Sequence, residues 1–215
     1  NYTNRMGLPA TPVDNTTDVI ATGHQPTWHH CGILAKHIAA DILSQHLNGT
    51  VIHLVLDHDI CNPLMELPGS DERFNLKSTS LVDKRQNIPI ELIQAPNQDR
   101  IRLFIENVSR LRNTFCASIW NQGLTQFLKS ASSFRCLADA ITHLHASLHY
   151  AMGLKLIYLP VSLLSQTHSF YDYVCTVTSN ASSFAKIYNA AIKHKIQTEK
   201  LKPNQTLRML KRNYF

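Results

Sequence analysis

The chain lacks the marks of several protein classes. No apolar run reaches the roughly 18 residues that span a bilayer, and Asn1-Tyr2-Thr3-Asn4-Arg5 does not read as a secretory signal. Cysteine is sparse and scattered. Cys31, Cys61, Cys116, Cys136 and Cys175 include no C-x-x-C pair, which indicates neither a zinc knuckle nor a dithiol redox site. An odd, dispersed set fits a reducing cytoplasm better than a disulfide framework, so a cytoplasmic protein without membrane association is expected. Asn48-Gly49-Thr50 and Asn107-Val108-Ser109 then read as chance triplets rather than glycosylation sites. There is no G-x-S-x-G elbow, no H-E-x-x-H, no internal repeat, no low-complexity tract and no heptad run. Aromatic residues are not interleaved with Lys and Arg as base-stacking platforms, so nucleic acid is not an expected partner.

At 44% hydrophobic and 17% charged, the 215 residues can bury a core and are not compositionally disordered. A net charge of +6 suggests an anionic ligand. The basic residues are spread out, apart from a tail with Lys195, Lys200, Lys202, Arg208, Lys211 and Arg212, which reads as solvated. The chain starts without Met and stops at Asn213-Tyr214-Phe215, so a fragment of something longer is expected.

What is present is a β-α-β unit. A short strand is expected over Asp18 to Ala21, a helix from about His30 to Leu47, and a strand over Val51 to Leu56. The helix places Leu34, Ile38 and Ile42 on one stripe, the expected core face. The second strand is apolar at nearly every position, as a strand buried on both faces of a parallel sheet reads. A long connection over 60–80 follows, then an irregular edge strand, Ile88 to Gln94, interrupted by Pro89. Two helical faces come next, Ile101, Ile105, Val108 and Leu111, then Phe134, Leu137, Ile141, Leu144 and Leu148. A third strand, Leu154 to Leu159, precedes helices from Ser169 and from Ser182 to Lys195. The expectation is an α/β, Rossmann-like fold: a mostly parallel sheet with flanking helices. Residues 1–17 form an arm, 18–195 the domain with a helical insertion over about 97–150, and 196–215 a basic tail.

In such sheets ligands bind at the carboxyl ends of the strands. Two polar clusters fall there. Thr22-Gly23-His24-Gln25 through His29, His30 and Gly32 form a loop entering a helix, where Gly permits close approach and free N–H groups attract anions. The bland alternative is a polar loop with capping histidines. Asp57-His58-Asp59 closes the second strand. If extension continues, both carboxylates share a face, able to bind a metal, orient an amine or act as bases; the alternative is a solvated strand end. His145 and His149 are four apart on a helix, a spacing that can hold one ion, with His143 nearby; the absence of H-E-x-x-H favours ordinary histidines, and a metal is not indicated. Ser162 and Ser165 follow the third strand, where hydroxyls can contact a ligand. Cys31 reads as a small buried residue rather than a reactive thiol, Lys36 as too far along its helix to reach the loop, and Arg85, Arg100, Arg102 and Arg110 as solvated.

Thr22-Gly23-His24-Gln25-Pro26, Leu56-Asp57-His58-Asp59 and Gly32-Ile33-Leu34-Ala35-Lys36 resemble, over about 40 residues, segments of the bacillithiol-biosynthesis cysteine-adding enzymes. Those carry Thr-Gly-Gln-Gln-Pro after the first strand and Glu-Asp-His-Asp at the end of the next. The resemblance implies a Rossmann-like core related to nucleotidyltransferases, with a helical connecting domain, and an activity joining cysteine to a glucosaminyl-malate amine. It implies that Thr22, Gly23, Gln25, Asp57, His58 and Asp59 line the cleft. His24 stands in place of Gln and Leu56 in place of Glu, no segment matches the family's coiled coil, and His30-Cys31-Gly32-Ile33 lacks the last His of a nucleotidyltransferase His-x-Gly-His. The functional expectation is a ligase or transferase acting on a small amine- or thiol-containing metabolite. His24 or His58 would move protons, Asp57 or Asp59 would orient the amine, and Thr22, Gly23, Gln25, His29, His30, Gly32 and Ser162 would bind substrate or an anion. A nucleotide is the conceivable cofactor. The alternative is a non-catalytic nucleotide- or metabolite-binding module on the same fold.

Overall fold

The computed structural model describes residues 2–10, 13, 17–68, 76–82, 87–111, 117–130 and 133–200. The chain divides into two compact units, Asn1–Leu163 and Leu164–Phe215. The first is mixed α/β. A parallel sheet is built from β1 (Val19–His24), β2 (Thr50–Val55) and a third strand (Leu156–Pro160), in the order first–second–third with β2 central. A helical turn, α1 (Tyr2–Arg5), precedes β1, and α2 (Cys31–Leu47) joins β1 to β2. An antiparallel hairpin, β3 (Leu64–Pro68) and β4 (Leu76–Ser80), forms a separate sheet. Then come α3 (Gln98–Leu111), α4 (Ala117–Lys129) and α5 (Leu137–Ala151), which lead to the third strand of the main sheet, β5.

β1 is longer than expected, so Thr22, Gly23 and His24 lie in a strand rather than a loop. Their parallel pairing with His53, Leu54 and Val55 outweighs the poor strand propensity of glycine. β2 stops at Val55, where Asp57 N–H bonds Val55 O (2.9 Å) and the chain turns. Ile88–Gln94 is a 3-10 turn at Ile90–Leu92 plus one bridge from Gln94 to Cys136, not an edge strand. Pro89 has no N–H for a ladder. The next two amides instead bond the β2 tip, Ile90 N–H to Asp59 O and Glu91 N–H to Asp57 O, both 3.0 Å. The connection expected over 60–80 contains the β3–β4 hairpin, and its residues 69–75 lie outside the described set.

The first residues are packed rather than a free arm. Tyr2, Met6 and Leu8 share a core with Val51, Val55, Leu156 and Tyr158. Thr3 Oγ1 accepts from Tyr158 N–H (2.8 Å), covering the outer edge of β5. Tyr2 Oη donates to Asp139 (2.7 Å), which also accepts from Arg135 Nε (2.7 Å) and so ties α1 to the start of α5.

The helix α2 turns a different face inward from the one its apolar stripe indicates. His37, Ala40, Asp41 and Ser44, also at helical spacing, are buried, while Ile38 and Ile42 are 39% and 50% exposed. The buried polar groups have internal partners that periodicity does not reveal. Asp41 accepts from Lys155 N–H (2.9 Å) and Gln45 (2.8 Å). Asn48 ends α2 in the left-handed region (φ 50°), and Gly49 follows. A Cβ on Gly49 would lie 2.5 Å from Asp18 O, an atom that also accepts Thr50 N–H. Gly49→Ala is therefore expected to cost about 1–3 kcal/mol by overpacking, read as a lower denaturant midpoint with unchanged slope.

The helical faces follow expectation more closely. Ile101, Val108, Leu137, Ile141, Leu144 and Leu148 are buried in a second core with Phe104, Leu124 and Phe127. Every residue from Leu137 to His149 is buried, because α5 contributes to both cores. After a short α6 (Val161–Leu164), the second unit holds α7 (His168–Ser179), capped by Thr167 Oγ1 on Phe170 N–H (3.2 Å), and α8 (Ala181–Glu199). The tail beyond Lys200 lies outside the described residues. No described helix is long and apolar enough to cross a membrane.

Candidate functional site

Parallel pairing brings the carboxyl ends of β1, β2 and β5 to one rim. There the two sequence clusters meet. Gln25 Nε2 donates to Asp59 Oδ2 (3.0 Å), and Leu56 N–H to His24 O (3.0 Å). The bond from Gln25 and one from Ile60 N–H (2.8 Å) hold the Asp59 carboxyl below the usual carboxylate range. Asp57, 4% exposed, accepts from Ser162 N–H (3.0 Å) and Ser162 Oγ (2.5 Å) at the start of α6. The turn after Val55 therefore sends the two carboxylates to different partners. They do not share a strand face. His58 is exposed beside them.

Several residues expected to meet substrate are committed elsewhere. Thr22 is buried and bonded through Oγ1 to His53 Nδ1 (3.0 Å). His30 Nδ1 accepts Gly32 N–H (3.1 Å) and caps α2, so this amide and this imidazole serve the helix end. Lys36 does reach the loop: its Nζ donates to Gly23 O (2.7 Å), placing a cation beside the glycine. Cys31 is exposed rather than buried.

Under this rim lies a feature the sequence reading missed. Register aligns Thr22, His53 and Tyr158 across the sheet on one face. His37 from α2 and His149 from α5 come down onto the same row. The ring of His37 is 4.5 Å from that of His53 and 4.9 Å from that of His149. His29, from the loop before α2, stacks on His145 (3.9 Å) and stands 5.1 Å from His37 and 5.2 Å from His24. Tyr158 Oη is hydrogen-bonded to His149 Nδ1 (2.6 Å). The ring nitrogens offered by His29, His37 and His149 lie within 4.8 Å of one another.

Burial holds these imidazoles neutral, with neighbouring imidazoles adding to the effect. It lowers His37 to about 4, His149 to about 3 and His53 to about 2, and pushes His29 and His145 far below the ordinary value. Both nitrogens of His29 and His37, and Nε2 of His145, are buried without a hydrogen-bond partner among the described residues. An unpartnered buried polar group costs about 1–3 kcal/mol, so such a concentration is unusual in a core. A cavity of about 210 Å³ between Trp28, Trp120, Leu34 and Met152 reaches His29, His145 and His149. Trp28 and Trp120 stack at 5.7 Å. A larger cleft of about 740 Å³, by Leu8, Pro9 and Leu154, contains none of the rim residues but reaches the cluster from another side, at His149 and Tyr158.

His145 and His149 stood out in the sequence by their helical spacing, whereas His37 and His53 did not. A usable signal existed for His53, the one titratable side chain within Thr50–Val55. His143 faces Tyr2 and Phe134, outside the cluster. No family model, no curated protein and no solved structure matches this chain.

Proposed function

We propose that the chain is a ligase or transferase acting on a small amine- or thiol-containing metabolite at the rim of a Rossmann-like unit, as the likeness to cysteine-adding enzymes implies. The observation that carries the reading is the meeting of Gln25 and Asp59 beside His24. A carboxylate favoured in its charged form suits a cationic amine. His24 or His58 takes the proton that the bound ammonium must lose before its lone pair can react, and Lys36 beside Gly23 balances an anionic group. Asp57 becomes a tie between β2 and α6 rather than a catalytic group. A reducing, cytoplasmic setting is proposed from the odd, dispersed cysteine set of the sequence alone.

The second reading, a non-catalytic nucleotide- or metabolite-binding module, draws on two rim acids being missing or occupied, Leu56 in place of Glu and Asp57 engaged by Ser162. Thermal shift with L-cysteine, glucosamine and ATP opens the test. A stabilising amine or thiol should lose its effect in Asp59→Ala. Turnover of that ligand should fall about 100-fold or more in His24→Ala or Asp59→Ala, the range of a lost acid–base or orienting group. Unchanged turnover in both variants rejects catalysis. Stabilisation that survives in both favours the binding module.

A further inference from the structure

We propose that His29, His37 and His149 form a site for one divalent transition-metal ion of the zinc type, with its fourth position open to the cavity between Trp28 and Trp120. This is separate from the rim reading and stands if the rim proves non-catalytic.

The three nitrogens already converge within 4.8 Å, and a tetrahedral centre with bonds near 2 Å needs about 3.3 Å between them. Small side-chain rotations close that gap. The ligands come from three different segments, the loop before α2, α2 itself and α5, so the tertiary fold builds the site and no sequence spacing encodes it. His37 is 0% exposed with neither nitrogen partnered, and both His29 nitrogens are likewise buried and unpartnered. A bound ion gives each a lone-pair acceptor that the protein does not otherwise supply.

The second layer is in place at His149, while His29 and His37 each keep one nitrogen without a hydrogen-bond partner among the described residues once the other binds the ion. A metal-bound histidine ordinarily has its other nitrogen held by a fixed partner. Tyr158 Oη occupies His149 Nδ1, leaving Nε2 for the ion. His53, held through Nδ1 by Thr22, packs against His37 and fixes its ring. The set contains no carboxylate and no thiolate, which favours zinc, copper, iron or nickel over magnesium or calcium. Three histidines plus an open position is the arrangement of catalytic rather than structural zinc. The cavity touches His29 and His149, so the open position receives water or a small molecule with one donor atom on an apolar or aromatic body.

Tag-free, chelator-treated chain of all 215 residues should be titrated with Co(II), followed by displacement with Zn(II). The expected result is one ion per chain, the intense visible absorption of four-coordinate cobalt, its loss on adding Zn(II), and a rise of several degrees in Tm. His37→Gln and His149→Gln should abolish the absorption. His143→Gln, a buried histidine outside the set, should keep it. Tyr158→Phe should weaken affinity about 10- to 100-fold. If circular dichroism shows His37→Gln unfolded, His29→Gln in the loop carries the same test. No one-to-one spectrum, the weak absorption of six-coordinate cobalt, or a spectrum that persists when His29 and His149 are both replaced overturns the site.

Discussion

Chelator-treated protein should lose its fold between about pH 6 and pH 5, well above the range in which carboxylates are protonated. In the folded state burial holds His37 at about 4, His143 at about 4, His149 at about 3 and His53 at about 2. Unfolded, each returns to about 6.5. Above that value neither state binds the protons, and stability is independent of these groups. Below it the unfolded chain takes up protons that the folded chain refuses, so stability falls as pH falls. Each imidazole contributes about 1.4 kcal/mol per pH unit and these four together about 5 kcal/mol per unit, to which His29 and His145, held lower still, add. A whole domain is stable by only about 5–15 kcal/mol.

Neighbouring charges change this little. Lys36 and His24 push His37 and His53 further down, and only Asp139 pulls His143 up, against Arg135 and Arg5. Far-ultraviolet circular dichroism against pH measures the transition, and its steepness should correspond to uptake of more than four protons, because His29 and His145 are also held far below their ordinary value. A fold that survives to pH 3.5 would show that these histidines are not buried as neutral groups.

The strand–helix–strand unit was legible because its signals are local. An apolar strand, a polar loop and a capped helix follow each other without interruption from Val19 to Val55. The meeting of the Gly23 segment with the acidic tip was legible for the same reason, since parallel pairing leaves both at one rim and Gln25 reaches Asp59. What failed depended on tertiary partners. The apolar stripe of α2 indicated burial of Ile38 and Ile42, but Asp41 is buried because Lys155, distant in sequence, offers it an amide. The helix of Tyr2–Arg5 was not legible because Thr3 owes its place to the edge of β5. The histidine cluster is the extreme case. His29, His37, His53 and His149 share no spacing, and only the stacking of α2 and α5 on one sheet face brings them together. Helical spacing marked His145 and His149, but their neighbours, His29 and His37, come from a segment more than a hundred residues earlier in the chain.

Replacing Asp57 by alanine should lower stability by about 2–4 kcal/mol, while Asp59→Ala should leave Tm unchanged and remove function. The two residues look equivalent in Asp57-His58-Asp59, yet the turn after Val55 gives them opposite environments. Asp57 is 4% exposed, and its carboxylate receives both the amide and the hydroxyl of Ser162. A hydrogen bond to a charged acceptor contributes about 1.5–3 kcal/mol, and loss of a helix-end acceptor typically costs about 1. Without the carboxylate, the amide at the start of α6 loses its acceptor, and the link from the β2 tip to the end of β5 goes with it. At about 2–4 °C per kcal/mol for a chain of this size, Tm should fall by about 5–15 °C. Asp57→Asn keeps an oxygen for the Ser162 amide and should lose less than half of that. Asp59 lies at the surface and bonds one side chain, Gln25, so its loss should leave the fold intact and, under the proposed function, weaken binding of the amine. Thermal melts of the three variants separate the roles. If Asp57→Ala melts with the native protein, the β2–α6 tie carries no weight, and Asp57 returns to the list of groups free to meet a substrate.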